Sequence, residues 1–287
     1  MNDGSTIPPQ FSSTFEHIER DDICLWYDPT LVPADSLPSL IRLPGQLRDI
    51  PGTESRASGR RTVWRWSPSW AESALIVRQY AHGGLLAPLF GTAFLSDKQM
   101  RGELRIAHHA RQRGLSTSRP VALRISRGPG PLRRGYYLTR EIPSALNLLE
   151  YCNKHGPQIA PPSRFALAKD IGRTIARMHE IGIYHDDLNL KNVLVKTRES
   201  PPESAIVDFK KARLQQHVPI KDGLPNLRRL DRSILKWPAS RNTITLSDRL
   251  RVLRTYIEER TATGTDWKNM ARETRTDHWL HRWTRRT

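Results

Sequence analysis

Cysteine is nearly missing from this chain. Cys24 and Cys152 are the only two in 287 residues and neither belongs to a C-x-x-C pair, so a disulfide framework is excluded. The pattern fits a reducing cytosol. Long apolar runs are absent too: nothing approaches the roughly eighteen residues of a membrane span. Met1 to Arg20 lacks the basic-then-apolar order of a secretory signal, so the expectation is a cytoplasmic protein, soluble or peripheral to a membrane. Internal repeats are not seen. Lysine is scarce, supplying only ten of the forty-six basic residues, and the formal charge of +17 is therefore carried by arginine. Arginine presents a planar fork matched to phosphate and carboxylate. The excess points to an anionic partner without choosing among glycolipid, membrane surface and nucleic acid.

What is present is concentrated in Ile181 to Lys210, IGIYHDDLNLKNVLVKTRESPPESAIVDFK. His185, Asp187 and Asn192 fit the loop H-x-D-x-x-x-x-N, in which the Asp accepts a proton from an attacking hydroxyl and the Asn holds magnesium. Asp208 follows the apolar run Ala205-Ile206-Val207 and precedes Phe209, as a second metal-holding carboxylate would. Strands over Val193–Val195 and Ala205–Val207, joined by a Ser/Pro-rich loop, predict a hairpin with Asn192 and Asp208 at one edge. One amide oxygen and one carboxylate suffice for magnesium when ATP phosphates supply further ligands. Taken singly, an Asp pair before a strand is an ordinary solvated turn. The joint spacing points to phosphotransfer.

A helix precedes this loop. Pro161-Pro162-Ser163 reads as its start with Ser163 as N-cap, Leu167, Ile171, Ile175 and Met178 form its buried stripe, and Gly182 ends it. Leu246, Leu250, Leu253 and Ile257 predict an amphipathic helix further on.

On these residues the chain resembles the lipopolysaccharide kinase family of the protein-kinase-like superfamily, and most of all the 3-deoxy-D-manno-octulosonic acid (Kdo) kinases. Besides YHDDLNLKNVLV, the resemblance rests on GRRTVW at Gly59–Trp64, IVRQYAHGGL at Ile76–Leu85, GLSTSRPVAL at Gly114–Leu123 and NLRRLDRSILK at Asn226–Lys236. It implies an α+β, two-lobed kinase-like fold, with a small antiparallel-sheet lobe carrying one main helix and a larger, mainly helical lobe. It also implies ATP and Mg2+ as cofactors and transfer of phosphate to the Kdo sugar of an anionic lipid A precursor. Such an enzyme would work at the cytosolic face of the bacterial inner membrane, held there by peripheral electrostatic contact. A nucleic-acid partner is disfavoured, since no recognised reading motif occurs.

Carried onto this sequence, the resemblance gives Asp187 as the base, His185 as a brace of the loop, and Lys191 as a cation for transferring or substrate phosphate. Asn192 and Asp208 hold the metal. Gly59 lets backbone amides approach phosphate, although Arg61 stands where relatives often have a second glycine. Arg78, in place of the usual strand lysine, contacts the nucleotide phosphates with Glu103 as its partner, on a helix expected over Asp97–Arg113. Thr62–Trp66 and Ser73–Tyr80 read as strands about a turn at Ser67–Ser69, and Tyr136–Ile142 as the strand entering the hinge. Lys210 replaces the glycine that usually follows the metal Asp-Phe pair, which bears on conformational switching more than on metal binding.

The expected division is an N-terminal extension over 1–50 packing on the small lobe, a small lobe over 51–142, and a large lobe over 143–260. A basic, Trp-containing tail would complete the chain over 261–287. Two further readings share the same core residues: a heptose kinase of the lipopolysaccharide core, and a pseudokinase or scaffold that binds anionic glycolipid.

Overall fold

A computed structural model describes residues 14–43, 53–58, 61–81 and 91–261. They fall into two compact units, Met1–His109 with Ser118–Ile142, and Ala110–Thr117 with Pro143–Thr287.

The first unit is built on an antiparallel seven-stranded sheet in the order β1-β2-β6-β7-β5-β4-β3. Its strands are β1 (Glu16–Arg20), β2 (Ile23–Tyr27), β3 (Thr53–Ser58), β4 (Arg61–Trp66), β5 (Leu75–Gln79), β6 (Pro120–Arg127) and β7 (Arg133–Arg140). Alternation along the strands buries side chains on both faces. One face packs Leu25, Tyr27, Trp66, Leu75, Val77 and Leu138 with Leu40 of the short helix α1 (Leu37–Ile41). The other packs Trp26, Leu123, Ile125 and Tyr137 against Met100 and Leu104 of α2 (Lys98–Gln112). At Gly135 a Cβ would run into the Met100 sulfur, so a glycine there lets α2 lie close over β7.

Among the described residues the second unit holds five helices and two small sheets. The helices are α3 (Leu148–His155), α4 (Pro161–Glu180), α5 (Ile220–Lys236), α6 (Pro238–Thr243) and α7 (Leu246–Arg260). Strands β8 (Ala145–Asn147), β10 (Val193–Lys196) and β11 (Glu203–Ile206) form one sheet, and β9 (Ile183–His185) pairs with β12 (Ala212–Leu214) in the other. The apolar stripe of α4 is buried as its spacing predicts, with Leu167, Ile171, Ile175 and Met178 each at most 5% exposed. α7 crosses α4 at Gly172, where a Cβ would stand 2.7 Å from the Val252 carbonyl. The start of α4 differs from expectation: Ala160 is the N-cap, Pro161 and Pro162 open the helix, and Ser163 lies inside it without capping. Proline suits the first helical positions because the N–H it lacks has no helical partner there. Gly182 ends the segment at φ +81°.

Among the described residues no helix is long and apolar enough to cross a membrane.

Candidate active site

The sequence folds this region locally. Gly182 turns the chain out of α4 into β9, and the loop that follows alternates polar residues with Leu188 and Leu190, both fully buried. These leucines anchor the loop while the residues between them face away from the core. Asn189 accepts from the Lys191 backbone N–H at 2.9 Å and donates to the Asp187 carbonyl at 2.8 Å, closing the short 3-10 turn over Leu190–Asn192. Asn192 also donates to the Asp187 carbonyl, again at 2.8 Å. Two side-chain amides thus converge on one peptide oxygen and fix the backbone that carries Asp187.

β10 and β11 pair as the sequence predicts, in the register Val193 with Ile206, and Val207 N–H donates to the Asn192 carbonyl at 3.0 Å. The hairpin therefore ends with Asn192 just before one strand and Asp208 just beyond the other. Asp170 of α4 secures it by accepting from both the backbone N–H and the hydroxyl of Ser204 at 2.6 Å. Asp208 has left-handed backbone, φ +65° and ψ +66°. A non-glycine residue in that region carries strain, a feature that clusters at functional sites.

The donor set suits a hard cation. With its amide nitrogen on the Asp187 carbonyl, Asn192 offers Oδ1, and Asp208 adds a carboxylate; magnesium takes oxygen donors of this kind.

His185 is fully buried. Its Nδ1 accepts from the Asp187 N–H at 3.2 Å, so Nε2 carries the proton and donates to the Val207 carbonyl at 3.2 Å. One imidazole therefore ties this loop to the segment leading into Asp208. Burial holds it below its ordinary pKa, partly opposed by the Val207 hydrogen bond and by Asp208 and Asp187. A neutral ring with both nitrogens engaged is a brace.

Two residues of the Asp-Asp pair have different partners. Asp186 takes a bidentate grip from Arg213 at 2.6 and 3.0 Å, and that guanidinium also lies 4.9 Å from the Tyr184 ring. Asp187 instead faces Lys211, whose ammonium is 3.5 Å away. Lys191 turns aside: its ammonium stands 5.2 Å from the centroid of the Trp237 ring, with Lys236 at 5.5 Å from the same ring.

A buried polar cluster supports the loop from behind. Asn226 of α5 accepts from the His185 N–H at 3.1 Å and donates to the His185 carbonyl at 3.0 Å, imitating a strand partner. Its oxygen also accepts from His179 at 2.9 Å, and His179 Nδ1 accepts from the Tyr256 hydroxyl at 2.8 Å. Burial depresses His179 to about 4, with the Asn226 hydrogen bond opposing. Sequence reasoning passed over Asn226, Asp186 and Arg213. The available signal was an amide inside an otherwise apolar helical stripe of Leu224, Leu227, Leu230 and Ile234.

In the first unit, Arg78 of β5 ion-pairs with Glu103 of α2, and the Tyr80 hydroxyl donates to the second oxygen of that carboxylate at 2.6 Å. The Glu103 side chain is 1% exposed and Arg78 14%. A buried carboxylate needs such partners to offset its lost hydration. The guanidinium stands 5.0 Å from the Tyr80 ring centroid and 5.6 Å from that of Tyr137, contacts that an ammonium point charge would not reproduce. Gly59 lies outside the described residues.

Comparison with known proteins agrees with this architecture. The profile of the lipopolysaccharide kinase (Kdo/WaaP) family matches residues 54–256. A 3-deoxy-D-manno-octulosonic acid kinase of Vibrio cholerae is 28% identical over 239 residues, covering 82% of this chain and 95% of the relative. Its counterpart in Photobacterium profundum is 30% identical over 231 residues, covering 79% and 91%. Among solved structures, WaaP in complex with acyl carrier protein superposes with a TM-score of 0.57 at 18% identity, covering 89% of this chain and 95% of that one. This likeness bears out the expected α+β kinase-like fold. The chain belongs to the lipopolysaccharide kinase (Kdo/WaaP) family and is a phosphotransferase.

Proposed function

We propose that the protein transfers the terminal phosphate of ATP to a hydroxyl of the Kdo sugar on a lipid A precursor, at the cytosolic face of the inner membrane. The observation that carries the reading is the fixed catalytic loop: Asn189 and Asn192 both hold the Asp187 carbonyl, and His185 ties the same peptide to the segment ending in Asp208. Similarity to curated Kdo kinases over most of the chain supports the acceptor.

In this mechanism Asp187 orients the sugar hydroxyl and accepts its proton as the oxygen attacks. Asn192 and Asp208 hold magnesium, which when bound neutralises phosphate charge and aligns the triphosphate. Arg78, steadied by Glu103 and stacked on tyrosines, contacts nucleotide phosphate. Lys191, beside Lys236 and Trp237, is assigned to the phosphates of the glycolipid. His185 transfers no proton, because both of its nitrogens are committed to backbone groups. Most of the rate then comes from positioning and electrostatics. A charge of +17 supplies the affinity for an anionic membrane surface.

The test is turnover of magnesium-ATP with purified Kdo-bearing and heptose-bearing acceptors, with product mass measured. A gain of one phosphate on the Kdo sugar, abolished in Asp187→Ala and Asp208→Ala, is the expected result. Phosphate appearing only on heptose overturns the acceptor. No gain on either sugar, or unchanged turnover in both variants, overturns the enzyme reading in favour of a glycolipid-binding scaffold.

A further inference from the structure

We propose that Lys211 is the cation that meets the transferring phosphate beside Asp187, a role that the loop itself leaves unfilled. The inference rests on the phosphotransfer reading above and adds a residue to it.

Inside the loop the polar positions are already spoken for. Asn189, two residues beyond Asp187, gives its amide to the loop backbone, with a longer contact from its nitrogen to Asp187 Oδ1 at 3.5 Å, and it carries no charge. Lys191, the loop's only lysine, directs its ammonium over Trp237. A positive charge beside the Asp187 carboxylate comes instead from a different segment. β12 pairs antiparallel with β9, Ala212 opposite His185 and Arg213 opposite Tyr184, and this register delivers the residue before Ala212 to the catalytic loop. Lys211 arrives there with its ammonium 3.5 Å from Asp187 Oδ2.

The pair is poorly suited to a structural role. Lys211 is 61% exposed and Asp187 40%, and ion pairs that open to water contribute little to stability. Anchoring of β12 falls to its neighbour Arg213, with its bidentate hold on Asp186 and its ring contact with Tyr184. Lys211 is thus an exposed ammonium beside a paired strand, held close to the base by a contact weak enough to exchange. An incoming phosphate carries more charge than the carboxylate and would take the ammonium over, leaving Asp187 to the acceptor hydroxyl.

The acceptor oxygen forms a bond to the γ-phosphorus as its proton passes to Asp187, and the bond from that phosphorus to the bridging oxygen breaks, its electron pair departing with ADP. Lys211 keeps its protons throughout and donates hydrogen bonds to a γ-phosphate oxygen as charge moves.

Lys211→Met, Lys211→Arg and Lys191→Met are compared with the unmodified protein in turnover of magnesium-ATP with Kdo-bearing lipid A precursor. Calorimetry then measures binding of ADP and of the unreactive β,γ-imido analogue of ATP. Lys211→Met is expected to lower kcat about 10²-fold, the usual effect of removing one preorganised donor. It should also lose about tenfold of the preference for the imido analogue over ADP, as expected for one charged hydrogen bond. Lys211→Arg should recover most of both, and Lys191→Met should act on the acceptor KM instead. A Lys211→Met protein with kcat and nucleotide preference within about threefold of the original overturns the assignment. So does an equal loss of affinity for ADP and the analogue together with a lowered melting temperature, which would mark a loop-supporting residue. If the unmodified protein phosphorylates no acceptor, the acceptor reading fails by itself, and the nucleotide preference still decides Lys211.

Discussion

Acidification should destabilise the second unit through His179. The imidazole is fully buried, and Asn226 offers it an oxygen that already receives the His185 N–H. The proton of neutral His179 must therefore sit on Nε2, leaving Nδ1 to accept from the Tyr256 hydroxyl. A second proton would displace that hydrogen bond and place a charge where no carboxylate partner is described. Its pKa is accordingly depressed from 6.5 to about 4. Because the unfolded chain takes up the proton first, the stabilising contribution is complete above about pH 6.5 and is lost as pH falls from there towards 4. Lowering pH from 7 to 5 removes about 2 kcal/mol through this group alone, an order-of-magnitude figure from linkage. His185, also buried and depressed, acts in the same direction.

The assay is urea unfolding followed by tryptophan fluorescence at several pH values, for the original protein and for His179→Gln. Glutamine can still donate to Asn226 but cannot gain a proton. The variant should be the less stable by about 1–3 kcal/mol at pH 7, from the lost Tyr256 hydrogen bond. That gap should close by about 2 kcal/mol at pH 5. Other titrating groups cancel in the difference. Two stability curves running parallel from pH 7 to pH 5 would refute the reasoning.

Gly223→Ala should destabilise the same cluster by roughly 1–3 kcal/mol, since the new Cβ would meet the Tyr256 hydroxyl and lie 2.5 Å from His179 Nδ1; thermal or urea unfolding reads it directly. Asn226→Leu should cost about 1–3 kcal/mol by leaving the buried His185 N–H without its acceptor, while the His185 carbonyl keeps the Leu188 N–H at 3.2 Å. At temperatures where it remains folded, its kcat should fall with little change in the KM for ATP. Arg78→Lys keeps the charge but loses the tyrosine contacts, so we expect a KM for ATP raised about tenfold and a lowered melting temperature. The two neighbouring carboxylates should separate: Asp187→Asn is expected to reduce kcat by 10²–10⁴-fold, roughly the share of a general base, at unchanged stability. Asp186→Asn should chiefly loosen β12, read as faster amide exchange at Ala212–Leu214.

Several parts were legible because the information is local. The stripe of α4, the stop at Gly182, and the apolar residues on either side of the Ser/Pro-rich loop each act over a few residues, and the hairpin that brings Asn192 and Asp208 to one end follows from them. Arg78 and Glu103 could be named from the resemblance, twenty-five positions apart. That the Tyr80 hydroxyl completes their contact could not, because it depends on how α2 lies across the sheet. The N-cap of α4 was misplaced by three residues, since a serine after two prolines reads like a cap unless the backbone is seen.

By itself the amino-acid order pointed to the reaction class, since the residues proposed as base and metal ligands lie within one short loop and one hairpin. Only tertiary structure decided which carboxylate of the adjacent pair is engaged by Arg213 and which faces Lys211, because that choice depends on β12 pairing with β9. It also decided that Lys191 turns to Trp237 and that Asn226 stands in as a strand partner for His185. These contacts join segments more than twenty residues apart, and no spacing rule along the chain encodes which distant side chain arrives first.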